Sequence, residues 1–269
     1  MKHDDRLNAL MDAVSRSSKY QAITPDLVRS IGERELSIRS NVKQAVKATK
    51  NKLHQIGGAY FGSAIDYADL LDDLRRARVA SDDDGFRAVC RQAMGCHAST
   101  RERLPILDSF FSATLSGIGP LNTILDLGCG LTPLSIPWMP LGEAVTYYAC
   151  DIYVDLVDFV GRFLDLVGVA GEAEVRDICH NPPTRGVDLA LMLKLLPCLE
   201  QLDRSVGPRL LETVDAKYVL VSFPARSLGG RCKAMVENYG ARFNEMIEGH
   251  GWTIERFDFP VELAFLITK

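Results

Sequence analysis

Two textures divide this chain. From residue 121 onward, short apolar runs recur with room for a helix between them: 123–128 (TILDLG), 146–151 (TYYACD), 173–177 (AEVRD), 188–193 (DLALML) and 217–223 (KYVLVSF). Consecutive rather than alternating apolar positions predict strands buried on both faces, as in a parallel sheet. Two further runs, 252–258 (WTIERFD) and 261–268 (VELAFLIT), stand too close together for a crossover helix and predict an antiparallel hairpin. Before residue 105 the periodicity is helical. SNVKQAVKATKNKLHQI spaces Val42, Val46, Leu53 and Ile56 as one apolar stripe, which Thr49 interrupts. SDDDG (81–85) predicts a turn and a helix start, with acids at the positive end of the helix dipole. HASTRERLPILDSFF offers Ser99 as an N-cap with Glu102 three residues on, a capping box, and Gly117, Gly119 and Pro120 end that helix. The expected organisation is a helical unit over 1–105 and an α/β unit over 106–269.

The first strand of the α/β unit ends in LDLGCGLTPL. Gly128 and Gly130 begin a dinucleotide fingerprint, but Pro133 stands where its third glycine belongs. In a dinucleotide site the glycines admit a pyrophosphate, and the third lets the helix pack tightly on its strand. A ligand without phosphate removes that demand, and Pro133 is then a natural first-turn residue of the next helix. Asp151 ends the second strand, where a carboxylate can accept from two ribose hydroxyls. Asp177, expected to end the third, is placed to accept from an adenine amino group. These features favour S-adenosylmethionine (SAM) over NAD, the alternative being a fold with incidental strand-end acids. Five parallel strands closed by a hairpin is also the layout of Rossmann-like class I SAM-dependent methyltransferases, here with an N-terminal helical domain added.

Composition is ordinary for a globular protein, at 47% hydrophobic and 25% charged residues, and no apolar run approaches a membrane span. The start, MKHDDRLNALMDAV, has no signal-peptide core. Seven cysteines without a C-x-x-C argue against a zinc knuckle and a disulfide framework, so no metal is expected and a cytoplasmic location fits. The net charge of −4 conceals a split. Residues 1–105 carry 18 Lys and Arg against 14 Asp and Glu, whereas the remainder carries 13 against 21. A local basic surface keeps a nucleic-acid partner open. Lys43, Lys47 and Lys50 share one helical face, which is either a docking surface or an ordinary solvated one. NPP (181–183) resembles an amino-methyltransferase motif but follows the wrong strand, and is read as a loop. LPC (196–198) resembles the Pro-Cys nucleophile of pyrimidine carbon-5 methylation, a role that needs a lowered thiol pKa; a buried inert thiol is the alternative.

HASTRERLP (97–105), LDLGCGLTPL (125–134), LMLKLLPCLE (191–200) and VSFPARSLGGRCKAM (221–235), together with KATKNKLHQIGGAYF, resemble the aminoglycoside-resistance methyltransferases of 16S ribosomal RNA. Gly128 and Thr132 are modest departures from the D-x-A-C-G-L-N-P common in that family. The resemblance implies methylation of guanine 1405 at N7 within the 30S subunit, by a monomer without membrane association. Adenine 1408 N1, another ribosomal base or a small molecule are the alternative targets. It also implies roles for matching residues. Arg103 would pair with the methionine carboxylate of SAM, a task for which a guanidinium is shaped. Tyr60 and the His97–Ala98–Ser99 turn would line its outer side, although His97 alone also reads as a core histidine. Asp126, Gly128 and Gly130 would hold the amino-acid part, Asp151 the ribose, and Asp177 and Ile178 the adenine. Leu193 and Lys194 would lie beside the transferring methyl. Guanine N7 is an unprotonated lone pair at neutral pH, so Lys194, Arg226 and Arg231 would position rather than act as a general base. Arg226, Arg231 and Lys233 would also hold the extruded nucleotide unless their loop is an ordinary one. Lys43, Lys47, Lys50 and Lys52 would dock on the RNA.

Overall fold

The computed structural model describes residues 3–58, 60, 65–80, 82–142, 144–225 and 233–269. Seven strands form one sheet: β1 (Thr123–Leu127), β2 (Thr146–Asp151), β3 (Ala170–Val175), β4 (Val187–Leu193), β5 (Ala216–Pro224), β6 (Thr253–Asp258) and β7 (Glu262–Thr268). Their spatial order is β3-β2-β1-β4-β5-β7-β6. The first five are parallel, and β7 runs antiparallel to both β5 and β6. The hairpin is therefore where the spacing predicts it.

Burial on both faces explains the consecutive apolar runs. In β4, Leu189, Leu191 and Leu193 enter one core while Ala190 and Met192 enter the other. β7 repeats the division, with Ala264 and Leu266 on the first side and Leu263, Phe265 and Ile267 on the second. The second core is closed by α9 (Leu196–Leu199), α10 (Val206–Thr213) and α11 (Lys233–Ile247). The first is continuous with the N-terminal helices α1 (His3–Ser15), α2 (Pro25–Ile38) and α3 (Val42–Leu53), through Leu10, Leu27, Ile31 and Leu53. It also takes in α4 (Tyr67–Val79), α5 (Asp83–Met94), α7 (Leu107–Leu115) and α8 (Val154–Val167). A short α6 (Ala98–Arg103) precedes a 3₁₀ turn into α7.

Three local expectations are corrected. The third strand spans Ala170–Val175 rather than 173–177, so Asp177 lies two residues beyond it. This edge strand, AGEAEV, buries no residue completely, and so it lacks the apolar run that marks the others. Helix α6 begins at Ala98 with His97 at the N-cap, so Ser99 does not cap it. Ser99 Oγ instead bonds His97 Nδ1 at 2.9 Å, and Glu102 reaches Lys194 Nζ at 2.9 Å. In α3 the buried face is Ala45, Thr49 and Leu53, while Val42, Val46 and Ile56 are half-buried. Thr49 is thus the centre of the stripe and not its interruption. Pro133 sits in the first turn of its helix as expected, although that helix, Thr132–Trp138, is 3₁₀.

Thr49 has no exposure, and its hydroxyl finds no hydrogen-bond partner. Leaving a buried hydroxyl unsatisfied costs about 1–3 kcal/mol, whereas an apolar group of the same shape avoids that penalty. Thr49→Val should therefore stabilise the protein by about 1 kcal/mol, raising Tm by about 2–4 °C in a calorimetric scan. An unchanged or lowered Tm would refute this account.

Candidate functional site

A cleft opens at the carboxyl ends of the parallel strands. It lies where the order reverses between β1 and β4, the position at which open α/β sheets bind ligands. One wall comes from the sheet: Gly128, Asp151, Ile152, Tyr153, Asp177, Ile178, Leu193 and Lys194. The opposite wall comes from the helical region: Leu27, Ile56, Gly57, Tyr60, His97 and Ser99. Ile56 and Gly57 belong to a wide π turn, His54–Gly58, that continues α3.

The turn after β1 depends on its glycines. Gly128 and Gly130 have φ of +61° and +49°. A Cβ at Gly128 would stand 2.7 Å from Leu195, and one at Gly130 would stand 2.9 Å from the His97 ring. The Gly130 N–H donates to Asp151 Oδ2 at 2.9 Å, and the Ile152 N–H donates to Oδ1 at 2.7 Å. Burial raises the Asp151 pKa, while backbone N–H bonds from Gly130, Ile152 and Tyr153 oppose the rise. The carboxylate is held rigidly, with acceptor directions still turned to the cleft.

Behind this wall lies a cluster of charges. Arg103 is completely buried, and its Nε and Nη2 fork onto Glu262 at 2.6–3.1 Å. Its Nη1 has no hydrogen-bond partner. Lys194, whose φ is +58°, donates from Nζ to Ser99 O and Glu102, and approaches Glu262 at 3.5 Å. Although burial raises the Glu262 pKa, the neighbouring Arg103 and Lys194 outweigh it and hold the carboxyl below its usual range. Asp126 is also buried and accepts from Tyr147 Oη at 2.8 Å. Burial pushes Asp126 up to about 7, against the pull of that hydrogen bond and of Arg103.

Nine sequence-predicted residues meet on the cleft wall: Tyr60, His97, Ser99, Gly128, Asp151, Asp177, Ile178, Leu193 and Lys194. Four do not. Arg103 and Asp126 are buried behind it, and Ala98 and Gly130 use their backbone N–H groups on Tyr60 O and Asp151. Lys43 and Lys47 are exposed and Lys50 is half-buried. Lys52, which stands outside the one-face spacing of the other three, is engaged with the carbonyl of Gln201. Arg226 and Arg231 lie outside the described residues, as does the side chain of Lys233, the first residue of α11. Sequence reasoning missed Glu262, although a lone acid opening the apolar run VELAFLIT was a signal. Among the described residues no group of His, Cys, Asp and Glu could hold a metal ion. Nor is any of their helices long and apolar enough to cross a membrane.

A sheet of this order with its ligand cleft between β1 and β4 defines a Rossmann-like class I methyltransferase. The chain belongs to the ribosomal RNA methyltransferase (FmrO) family, whose model matches residues 16–266. It is 39% identical over 268 residues to the 16S rRNA (guanine(1405)-N(7))-methyltransferase of Micromonospora rosea, covering 99% of this chain and 98% of that one. The enzyme of the same description from Serratia marcescens is 32% identical over 263 residues, 98% of each chain. Among solved structures, the 16S rRNA methyltransferase RmtF in complex with S-adenosyl-L-homocysteine superposes with a TM-score of 0.82 at 29% identity, covering 100% of this chain and 99% of that one. The 16S rRNA methylase RmtB gives 0.78 at 30%, covering 98% of each.

The LPC cysteine is inert by its surroundings. Cys198 is buried, and its Sγ sits 2.8 Å from Tyr60 Oη. Burial pushes the thiol up to about 11, with the Tyr60 bond opposing and the Asp151 charge adding to the rise. At neutral pH the thiol therefore stays protonated, and the thiolate is the form a nucleophile needs. Cys198→Ala should keep most of the methyl-transfer rate, and iodoacetamide at pH 7.5 should leave Cys198 unlabelled in the folded protein by peptide mass spectrometry. A folded Cys198→Ala variant without detectable methylation would restore a covalent role.

Proposed function

We infer that this chain transfers a methyl group from SAM to N7 of guanine 1405 of 16S rRNA, and so confers aminoglycoside resistance. The carrying observation is identity over nearly the whole chain to enzymes of that one specificity. The residues present fit the cofactor. Arg103 Nη1, buried and without a partner, is the donor a methionine carboxylate needs, and Gly128 and Asp151 stand together on the cleft wall.

SAM supplies the methyl group, which passes to the N7 lone pair as the carbon–sulfur bond breaks. The chain's own part is orientation. In this reading Arg103, fixed by Glu262, turns Nη1 to the carboxylate. Asp151 accepts from the ribose hydroxyls, and Asp177 and Ile178 take the adenine. Leu193 and Lys194 border the methyl, with the lysine held by Glu102 and Glu262. His97 works as a neutral ring. Burial, followed by the charges of Lys194, Arg101 and Arg103, brings its pKa down to about 4. No proton needs to leave N7, so alignment of nucleophile, methyl carbon and sulfur supplies much of the rate. Extruding the base from paired RNA costs a few kcal/mol. We assign that task to the segment with Arg226, Arg231 and Lys233.

The helical region over 1–105 is the proposed docking unit on the 30S subunit, and the 106–269 region the chemical one. The enzyme is taken to act as a monomer in the cytoplasm, where ribosomes are. The exposure of Lys43 and Lys47 on one face of α3 supports docking there, with Lys50 adjoining.

Three experiments test this function. Isolated 30S subunits, free 16S RNA and small-molecule pools are offered with tritiated SAM, and the modified position is mapped by primer extension. Label should enter 30S subunits at guanine 1405; label at adenine 1408 or in metabolites would overturn the assignment. In calorimetry Asp151→Ala should bind SAM ten- to a hundredfold more weakly, since a hydrogen bond to a charged group is worth about 1.5–3 kcal/mol. The third changes Lys43, Lys47 and Lys50 together to Glu. Each lost phosphate contact removes about 0.7–0.9 from the log–log salt slope, so 30S binding should weaken and its salt dependence flatten while SAM affinity holds. Wild-type 30S binding across the salt range would make this face merely solvated.

A further inference from the structure

The adenine end of the cleft carries a chain of side chains with no task so far. Asp177 accepts the Cys179 N–H on Oδ1 at 3.0 Å, and its Oδ2 lies 2.7 Å from His180 Nδ1. The far ring nitrogen, Nε2, is 3.0 Å from Ser30 Oγ. Ser30 belongs to α2, and Leu27, one turn earlier on that helix, lines the cleft. The same helix is tied to the ribose end. The Thr24 N–H donates to Ile152 O at 2.9 Å, and the Ile152 N–H donates to Asp151. One helix of the N-terminal region thus braces the loops of both acids.

The proton positions follow from chemistry. An ionised carboxylate only accepts, so Nδ1 carries the hydrogen it presents to Asp177. In the neutral ring Nε2 then accepts from the Ser30 hydroxyl. The order Asp–His–Ser is that of a hydrolytic triad, but Ser30 lies inside α2, where neighbouring N–H groups are committed to the helix and cannot form an oxyanion hole. A positioning role suits the geometry better. Asp177 lies beyond the end of β3, on a segment with no strand to hold its rotamer. Two hydrogen bonds to separate oxygens remove that freedom and leave the other lone pairs for the cleft.

We propose that His180 is a positioning residue for adenine recognition, holding Asp177 through Nδ1 while Ser30 of α2 holds His180. The purine amino group is then read by a carboxylate that both halves of the chain fix in place. This rests on the assignment of Asp177 to the adenine, and the experiment separates the two ideas.

The probes are S-adenosyl-L-homocysteine and its analogue in which hydrogen replaces the purine amino group, titrated calorimetrically. Wild type should prefer the first by about tenfold, the worth of a hydrogen bond to a charged group. His180→Ala should bind the first about five- to tenfold more weakly and the analogue within about twofold of wild type, so the preference collapses. Ser30→Ala should move the same way by a smaller factor. In turnover, His180→Ala should raise KM for SAM and leave kcat within about twofold. The His180 side chain is 60% exposed, so its truncation opens no cavity. Asp177→Ala provides the reference. If it erases the preference while His180→Ala retains it, the positioning role is overturned and the adenine assignment stands. If Asp177→Ala itself retains the preference, the assignment fails and the inference with it. An equal loss for both ligands in His180→Ala, or Ser30→Ala indistinguishable from wild type, would also overturn the proposal.

Discussion

A guanidinium cut off from water must be neutralised where it stands, and in this protein that requirement joins the first half of the chain to its last strand. Arg103 ends α6, Glu262 opens β7, and their forked pair is wholly buried. Removing one partner of such a pair costs about 3–5 kcal/mol, because the other charge is left without compensation. The pair therefore fixes where the helical region meets the sheet. Phe110 packs against the Arg103 guanidinium at 4.9 Å, so the apolar core and the charge centre share a boundary. Lys194 adds a second cation at the end of β4, and Glu102 balances it from α6.

The cleft inherits its shape from that junction. The sheet supplies two acids and a glycine turn, but alone it would present only half a site. Tyr60 and His97 stack with ring centroids 5.6 Å apart and close the other side. The His97 ring sits so near Gly130 that a side chain there would displace it. The left-handed turn after β1 and the helical wall are thus mutually dependent. This is why the first core runs without a break from the sheet into the N-terminal helices.

The same packing decides which chemistry the site can do. Burial keeps Cys198 protonated and His97 neutral, so neither offers a reactive charge at physiological pH. Lys194 is held by backbone and carboxylate oxygens. What remains is a rigid array of donors and acceptors. That suits a reaction whose nucleophile already carries its lone pair and needs only alignment.

The sequence by itself determined the sheet. Runs such as DLALML are apolar at consecutive positions because both faces of β4 are covered, and the short gap before VELAFLIT leaves no room for a crossover. The glycine spacing, Pro133 and the strand-end acid Asp151 were equally legible, since turn geometry and strand ends are local properties. The edge strand β3 was blurred because it buries too little to leave an apolar signature, and Asp177 was placed on it although it lies beyond. Tertiary structure alone decided that Thr49 faces inward, that Ser99 serves His97 rather than capping its helix, and that Lys52 turns to Gln201. It also decided that Arg103 meets Glu262, 159 residues away. The physical reason is common to all of these. Periodicity and capping depend on neighbours along the chain, whereas the partner of a buried polar group depends on which distant segment arrives beside it.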